Sequence, residues 1–265
     1  MLHDVTPLIL TWNEEANLER SLARLSWANQ VVIVDSFSTD RTEEIAKRHP
    51  NVRWIQRAFD NHTDQWNHGV DAIKTPWVLA MDADYVLDEG FEDELAATNA
   101  PRTVNAYFAR FRYLIHGRSL SASLYPPRAV LFRKSGCRYI QDGHTQTLNI
   151  SGETGWLNSL IAHDDRKPLS RWFSSQAKYA ALEAEKLLSI PVGTLRIQDR
   201  LRRTGWAAIP ATFLYTLLAK RTLLDGWPGW YYTLQRTLAE VMLALEILER
   251  RLAPARKPGA SNPES

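Results

Sequence analysis

Short apolar runs alternate with amphipathic stretches over the first 90 residues of the chain. The runs at 5–11, 31–34, 52–55 and 77–81 contain little polar alternation, which is typical of strands buried on both faces. Between them, Leu18, Leu22 and Leu25 recur at helical spacing after Asn13, a suitable N-cap, and segments 42–47 and 65–73 also have helical character. Strands alternating with helices predict a parallel sheet joined by right-handed crossovers.

The pattern changes further along the chain. Segment 107–115 alternates aromatic with small or basic residues, as a half-buried strand does, and shorter apolar runs follow at 129–132 and 160–162. Long helices are predicted at 169–190 and 233–252. Residues 253–265 are rich in Pro, Ala and Ser and are predicted to be disordered. We therefore expect a catalytic-type α/β domain at 1–190, a helical extension at 191–252 and a tail at 253–265.

Carboxylates stand directly after two of the predicted strands. Asp35 ends the run at 31–34, and Asp82 and Asp84 follow the run at 77–81. Open α/β sheets bind ligands at the carboxyl ends of their strands. Two carboxylates at positions i and i+2 suit Mg²⁺ or Mn²⁺ that also holds a diphosphate, although a solvated turn would use the same residues.

Composition narrows the function classes. The 265 residues are 45% hydrophobic, which is enough for a full core, and the formal charge of +2 is too small to indicate nucleic-acid binding. Cys137 is the single cysteine, so neither an internal disulfide nor a cysteine-rich zinc module is expected, and a reducing cytosol fits. We expect no signal sequence, and the nearly uncharged run at 204–219 is shorter than the roughly 20 residues of a membrane-spanning helix.

Four segments carry a family resemblance. Ile9-Leu10-Thr11-Trp12-Asn13-Glu14-Glu15, Val34-Asp35-Ser36-Phe37-Ser38-Thr39-Asp40, Asn67-His68-Gly69 and Met81-Asp82-Ala83-Asp84 resemble, in this order, motifs of family 2 glycosyltransferases. The resemblance implies a GT-A fold, a Rossmann-like and mostly parallel sheet flanked by helices. It also implies an inverting hexosyltransferase that uses a nucleotide-diphosphate sugar and a divalent metal, Mn²⁺ or Mg²⁺.

The same resemblance implies residue roles. Asp35 matches the carboxylate that accepts a hydrogen bond from the base, for which uracil is the expectation, and Asp82 and Asp84 flank the metal. Ser36-Phe37 departs from the more usual Asp-Gly, which weakens the inference about ribose contacts. The predicted nucleotide-binding residues are Thr11, Asn13, Glu15, Asp35, Ser38, Asn67, Asp82 and Ala83; the predicted metal ligands are Asp84, Asp82 and His163. For His163 the alternative is a buried histidine bonded to backbone.

The acceptor side of the predicted site is less defined. In the resembled family the segment after the metal loop ends with the catalytic carboxylate, and Asp142 is the best placed acid there. His144 is either a proton-transfer residue or a structural or substrate-binding hydrogen-bonding group. Arg128 and Arg133 are able to hold phosphates, with a solvated arginine as the alternative.

The helical extension combines aromatic residues with arginines. Arg196, Arg200, Arg202 and Arg203 precede an apolar stretch and the Trp-rich turn at Trp227 and Trp230. This pattern suits helices lying at the headgroup level of a membrane, and a helical cap packed on the catalytic domain is the alternative. The helix at 169–190 and the Asp225-Gly226-x-x-Gly229 turn resemble bacterial lipopolysaccharide-core and related envelope glycosyltransferases, and the lack of Gln-x-x-Arg-Trp disfavours a processive synthase.

The expected protein is a membrane-peripheral glycosyltransferase at the cytoplasmic face of the inner membrane. It would move a sugar from a nucleotide-diphosphate sugar, for which UDP is the first choice, to a lipid-linked surface glycan such as lipopolysaccharide core. The alternatives are transfer to a polyprenyl phosphate and a catalytically silent sugar-nucleotide-binding scaffold. Asp35, Asp82 and Asp84 together argue against the silent protein.

Overall fold

The computed structural model describes residues 1–142 and 145–252. The chain divides into two compact units, Met1–Lys167 and Pro168–Ser265. The helix at 169–190 belongs to the second unit, because its small and apolar residues pack on the last helix of the chain. The boundary between the units therefore lies before this helix, whereas the sequence pattern placed it after residue 190. The predicted tail at 253–265 lies outside the described residues.

The first unit is built on a mixed sheet with the order β3-β2-β1-β4-β8-β6-β11-β5. β1, β2, β3 and β4 are parallel neighbours, which confirms the prediction for the first half of the unit. β8 then pairs antiparallel to both β4 and β6. The strands are β1 (Val5–Thr11), β2 (Val31–Asp35), β3 (Val52–Gln56), β4 (Trp77–Asp82), β5 (Tyr85–Leu87), β6 (Val104–Ile115), β7 (Arg118–Ser119), β8 (Arg128–Arg133), β9 (Cys137–Asp142), β10 (Thr145–Ile150) and β11 (Glu153–His163).

Two hydrophobic clusters cover the two faces of this sheet. Successive side chains of a strand point to opposite faces, so Ile9 and Ile33 join one cluster while Leu8 and Val32 join the other. Gly69 lies where its helix crosses β1, and a Cβ at this position would come within 2.5 Å of Leu8 Cδ1. The helices of this unit are α1 (Leu18–Leu22), α2 (Thr42–Lys47), α3 (His62–Ala72) and α4 (Phe91–Ala97).

The described part of the second unit is helical. Its core joins α5 to α8 through Ala184, Leu187, Leu243 and Ile247. The helices are α5 (Leu169–Ser189), α6 (Ile197–Arg203), α7 (Ala208–Leu214) and α8 (Trp227–Leu252), with a π-helical turn at Tyr215–Ala219 and a 3₁₀ turn at Thr222–Asp225. None of the described helices is both long enough and apolar enough to cross a bilayer.

Candidate functional site

Strand register brings the predicted carboxylates to one edge of the sheet. Thr11 pairs with Asp35 across β1 and β2, and Leu10 pairs with Asp82 across β1 and β4. Because these strands are parallel, their carboxyl ends share one edge, and the loops that follow them meet there. The arrangement predicted from strand ends is therefore present.

Asp35 is fully buried and is oriented by three donors. Its Oδ1 accepts hydrogen bonds from Thr11 Oγ1 at 2.8 Å and from Ser38 Oγ, and its Oδ2 accepts one from Ser38 N at 2.8 Å. Phe37, which lies between Asp35 and Ser38 in the chain, has a left-handed backbone conformation with φ 57°, and its ring is exposed. An ionised carboxylate offers about four acceptor sites, so these three donors leave one unused.

Asn13 and Glu15 tie the first loop to the second. Asn13 N donates to Ser38 Oγ at 2.7 Å, and Asn13 Oδ1 accepts from Thr39 N at 2.7 Å. Glu15 contacts the Arg41 side chain at 3.3 Å. The sequence prediction that Asn13 caps the first helix is wrong, because Asn13 lies in a left-handed turn with φ 54° and α1 begins at Leu18.

Asn67 and Ala83 make contacts within the protein. Asn67 Nδ2 donates to Tyr139 O at 2.9 Å, and its Oδ1 accepts from Tyr139 N at 3.1 Å, so this amide anchors β9 to α3. Ala83 O accepts a hydrogen bond from Ser21 Oγ at 2.7 Å, which fixes the backbone between Asp82 and Asp84. Their nucleotide contacts remain predictions.

Asp84 and His163 form a buried pair with unused polar atoms. His163 Nε2 lies 3.5 Å from Asp84 Oδ2, while Asp84 Oδ1 and His163 Nδ1 are buried without hydrogen-bond partners. Burial, with Asp82 and Asp165 nearby, raises the pKa of Asp84 to about 7, and burial lowers the pKa of His163. A carboxylate and an imidazole with free acceptor atoms fit a divalent cation such as Mn²⁺. Within the described ranges, no three His, Cys, Asp or Glu residues are grouped closely enough to hold a metal by themselves.

Aromatic rings hold His163 in place. Its ring stacks on Tyr113 with centroids 4.6 Å apart and planes 17° apart, and the Tyr125 ring lies 4.6 Å away on a tilted approach. The sequence analysis did not identify Tyr113 or Tyr125 as site residues. The alternating aromatic pattern at 107–115 was the available signal, but it is equally typical of a core strand.

Asp164, the residue after His163, is the centre of an ionic network. Asp164 is 2% exposed; its carboxylate accepts from Arg20 Nη1 at 2.6 Å, Arg166 Nε at 2.9 Å and Gly117 N at 3.1 Å. Its backbone N donates to Asp84 O at 3.1 Å. Asp164 therefore links the Asp82–Asp84 loop to α1 and to the β6–β7 turn.

The two predicted catalytic residues lie at the end of β9 and just after it in the chain. Asp142 ends β9 opposite Thr145 of β10, and the position of its carboxylate lies outside what the structure describes. His144 lies outside the described residues. Both assignments remain predictions.

The sequence model of Glycosyl transferase family 2 matches residues 8–157, more than half of the chain. The chain belongs to this family. The match covers the strand-end loops at Asp35 and at Asp82–Asp84 described above. It confirms that the chain is a glycosyltransferase-type enzyme.

Curated relatives carry related names. An uncharacterized glycosyltransferase of Rickettsia bellii is 29% identical over 106 residues, which are 40% of this chain and 36% of that protein. The lipopolysaccharide core biosynthesis glycosyltransferase LpsC of Rhizobium meliloti is 29% identical over 118 residues, which are 42% of this chain and 43% of LpsC. The aligned region thus spans well under half the length of these relatives.

Solved structures confirm the GT-A fold. TarS 1-349 of S. aureus, crystallised with UDP-GlcNAc, superposes with a TM-score of 0.51 at 13% identity, covering 96% of this chain and 93% of that one. The mannosyltransferase PcManGT of Pyrobaculum calidifontis, in complex with GDP-Man and Mn²⁺, gives 0.53 at 16% identity, covering 94% and 88%. At these identities the likeness shows the fold alone.

Proposed function

We propose that this enzyme transfers a sugar, with inversion, from a nucleotide-diphosphate sugar to a lipid-linked glycan of the cell envelope. The observation that carries the proposal is the sheet edge that the oriented carboxylate of Asp35 shares with Asp82 and the Asp84–His163 pair. The fold neighbours TarS and PcManGT were crystallised with nucleotide sugars, and the LpsC match favours a lipopolysaccharide-type acceptor.

Each group at the edge has a distinct task in this proposal. Asp35 accepts a hydrogen bond from the base, and the Asn13–Ser38 contacts hold the two loops around the nucleoside. Asp84 and His163, with Asp82 of the same loop, would supply part of the ligand set of a divalent cation, and the diphosphate whose charge it neutralises would supply the rest. Asp142 is the candidate that removes the acceptor hydroxyl proton, and His144 is the alternative.

The acceptor side of the proposal includes a membrane surface. The second unit exposes several large apolar side chains near basic residues, among them Ile197 beside Arg196, and Trp206. Such a surface suits the headgroup region of an anionic bilayer. The proposed location is the cytoplasmic face of the inner membrane.

A donor screen tests the proposal. The purified chain is incubated with UDP- and GDP-sugars with Mn²⁺, Mg²⁺ or EDTA, and release of the nucleoside diphosphate is measured. We expect turnover with one donor, its loss in EDTA and in Asp84→Ala, and its retention in the control Asp93→Ala, whose side chain is exposed on α4. A donor that binds without turnover selects the catalytically silent scaffold, and a protein that binds no donor contradicts both. Turnover onto a polyprenyl phosphate but not onto a lipid-linked glycan selects the other alternative.

A further inference from the structure

Strand β8 begins and ends with an arginine, and the two arginines have different surroundings. Arg133, at its end, donates from Nε to Val104 O at 3.1 Å and lies 4.4 Å over the Trp77 ring. Its Nη2 also approaches the carbonyls of Ala100 and Pro101. These contacts occupy the guanidinium of Arg133, which is therefore not available to a ligand.

Arg128, at the start of β8, has no such partners. Within residues 1–142 and 145–252, its guanidinium makes no hydrogen bond or ion pair, and it lies 5.1 Å over the ring of Tyr125. The residue is exposed by accessible surface. Its five N–H donors therefore remain free for a ligand.

The ring of Tyr125 relates Arg128 to the rest of the site. β8 runs antiparallel to β4, with Leu131 opposite Leu79. That pairing ends at this point, and Arg128 lies further along β8, over the ring of Tyr125, whose centroid lies 4.6 Å from that of His163. Although burial lowers the pKa of Arg128, its electrostatic interactions with Tyr85, Tyr125 and Asp82 raise it overall, which agrees with this placement. Arg128 therefore lies on the side of the site where Tyr125 packs on His163, the partner of Asp84.

The platform under Arg128 is firmly held. The Tyr125 hydroxyl contacts the Tyr85 hydroxyl, and the Tyr125 ring packs on Phe111 at 5.0 Å and on His163 at 4.6 Å. Two prolines at 126 and 127 restrict the backbone between Tyr125 and Arg128. A guanidinium stacked on a fixed ring loses little freedom when it binds, and its planar fork matches phosphate oxygens.

We propose that Arg128, stacked on Tyr125, binds a phosphate group next to Asp82. Two sources offer this chemistry: the diphosphate of the donor, in which case the inference rests on the proposed function, and a phosphate carried by the acceptor. A cation at Asp82 and Asp84 and a guanidinium at Arg128 would contact a donor diphosphate from two sides. An acceptor phosphate would use Arg128 alone.

Calorimetry on the full chain with Mn²⁺ tests the proposal, using uridine, UDP and inorganic phosphate as probes. Arg128→Met removes the charge but keeps an unbranched stem on Tyr125, and Arg128→Lys keeps the charge without the fork. The matched control is Arg110→Met, because Arg110 also lies over an aromatic ring, 5.4 Å from the Trp156 centroid. For the donor source, we expect UDP affinity to fall on the order of tenfold to a hundredfold in Arg128→Met, less in Arg128→Lys, and uridine affinity to stay unchanged.

For the acceptor source, we expect UDP affinity to stay unchanged in Arg128→Met. Inorganic phosphate should bind the UDP-saturated wild type, and this binding should be lost in UDP-saturated Arg128→Met. The proposal is overturned if both UDP and phosphate bind Arg128→Met as they bind the wild type, or if Arg110→Met shows the same losses. A wild type that binds neither UDP nor GDP contradicts the proposed function instead. Phosphate binding that depends on Arg128 would still support this inference in that case.

Discussion

At the residue scale, Asp35 illustrates how neighbours orient a buried carboxylate. Two of its three donors come from Ser38, three residues later, and the third comes from Thr11 on the adjacent strand. All three contacts are short-range consequences of the β1–β2 pairing and of the left-handed turn at Phe37. The acceptor site that remains is the one proposed for the base.

Asp35→Asn tests that assignment. In this variant the amide NH₂ would face groups that donate hydrogen bonds to the carboxylate in the wild type. We therefore expect weaker binding of uridine and a loss of about 1–3 kcal/mol in the free energy of unfolding. Asp71→Asn is the control, since it makes the same change at an exposed carboxylate that pairs with Arg138. Calorimetry with uridine and urea denaturation measure the two effects. Equal uridine affinity in Asp35→Asn and wild type would show that Asp35 does not contact the base.

The catalytic base is the second residue-scale prediction. Asp142→Asn should bind donor and Mn²⁺ normally and lose about 10²- to 10⁴-fold in transfer rate, because a general base acts on the acceptor hydroxyl. His144→Ala should retain measurable transfer. Single-turnover kinetics with saturating donor measure both variants. A dead His144→Ala protein beside an active Asp142→Asn protein would exchange the two roles.

At the element scale, the loop after β11 joins three parts of the first unit through Asp164. Arg20 follows the first loop, Gly117 lies in the β6–β7 turn, and the backbone of Asp164 holds Asp84. Lys167 adds a 2.8 Å ion pair to Glu14. These contacts fix the loops that carry His163 and Asp84 relative to one another.

Asp164→Asn should weaken this junction. Removing the charge leaves Arg20 and Arg166 facing a neutral amide, and we expect the free energy of unfolding to fall by about 2–3 kcal/mol, since both arginines still reach solvent. The concentration of Mn²⁺ needed for half-maximal turnover should rise. The control is Asp88→Asn, which breaks the exposed pair with Arg112 and should cost about 1 kcal/mol or less. Equal effects in both variants would refute a special role for Asp164.

The start of α8 offers a second element-scale test. A Cβ on Gly229 would come within 1.8 Å of Thr222 O, a backbone atom that has little room to move. Gly229→Ala should therefore destabilise the second unit by about 1–3 kcal/mol, despite the better helix propensity of alanine. Gly193→Ala is the matched control, because nothing lies within 4 Å of the added atom. Thermal unfolding followed by circular dichroism compares them; an unchanged midpoint for Gly229→Ala would mean that the turn adapts.

At the scale of the whole molecule, contacts within the second unit reduce the number of arginines that are available to bind a membrane surface. Arg202 is bound to the buried Glu240 at 2.8 Å, and Arg203 donates to Ile190 O at 2.6 Å, so both serve the fold. Arg196 remains exposed beside Ile197, which is 83% exposed. The membrane proposal therefore depends on fewer charges and more apolar side chains than the sequence indicated.

Vesicle flotation tests that proposal on the full chain. We expect binding to anionic vesicles at low salt, partial release at high salt, and a several-fold loss of binding in the double variant Trp206→Ser and Leu224→Ser. Trp156→Ser, which alters an exposed tryptophan of the first unit, is the control and should bind like the wild type. A wild type that stays free of anionic vesicles at low salt would exclude the peripheral location.

The sequence by itself determined the alternation of strands and helices, the strand-end positions of Asp35, Asp82 and Asp84, and the glycosyltransferase family. These follow from local periodicity and from short motifs, which are properties of neighbouring residues. The helix start after Asn13 was misplaced because a left-handed turn and a capped helix draw on the same residue types.

Tertiary structure decided the contacts between residues far apart in the chain. Asp164 and Arg20 are separated by 144 positions, and Arg128 lies near His163 because both contact the ring of Tyr125. The same holds for α5, which packs on α8 and so joins the second unit. Periodicity specifies which face of an element is apolar, whereas strand order and helix partners depend on how all the apolar faces are buried together.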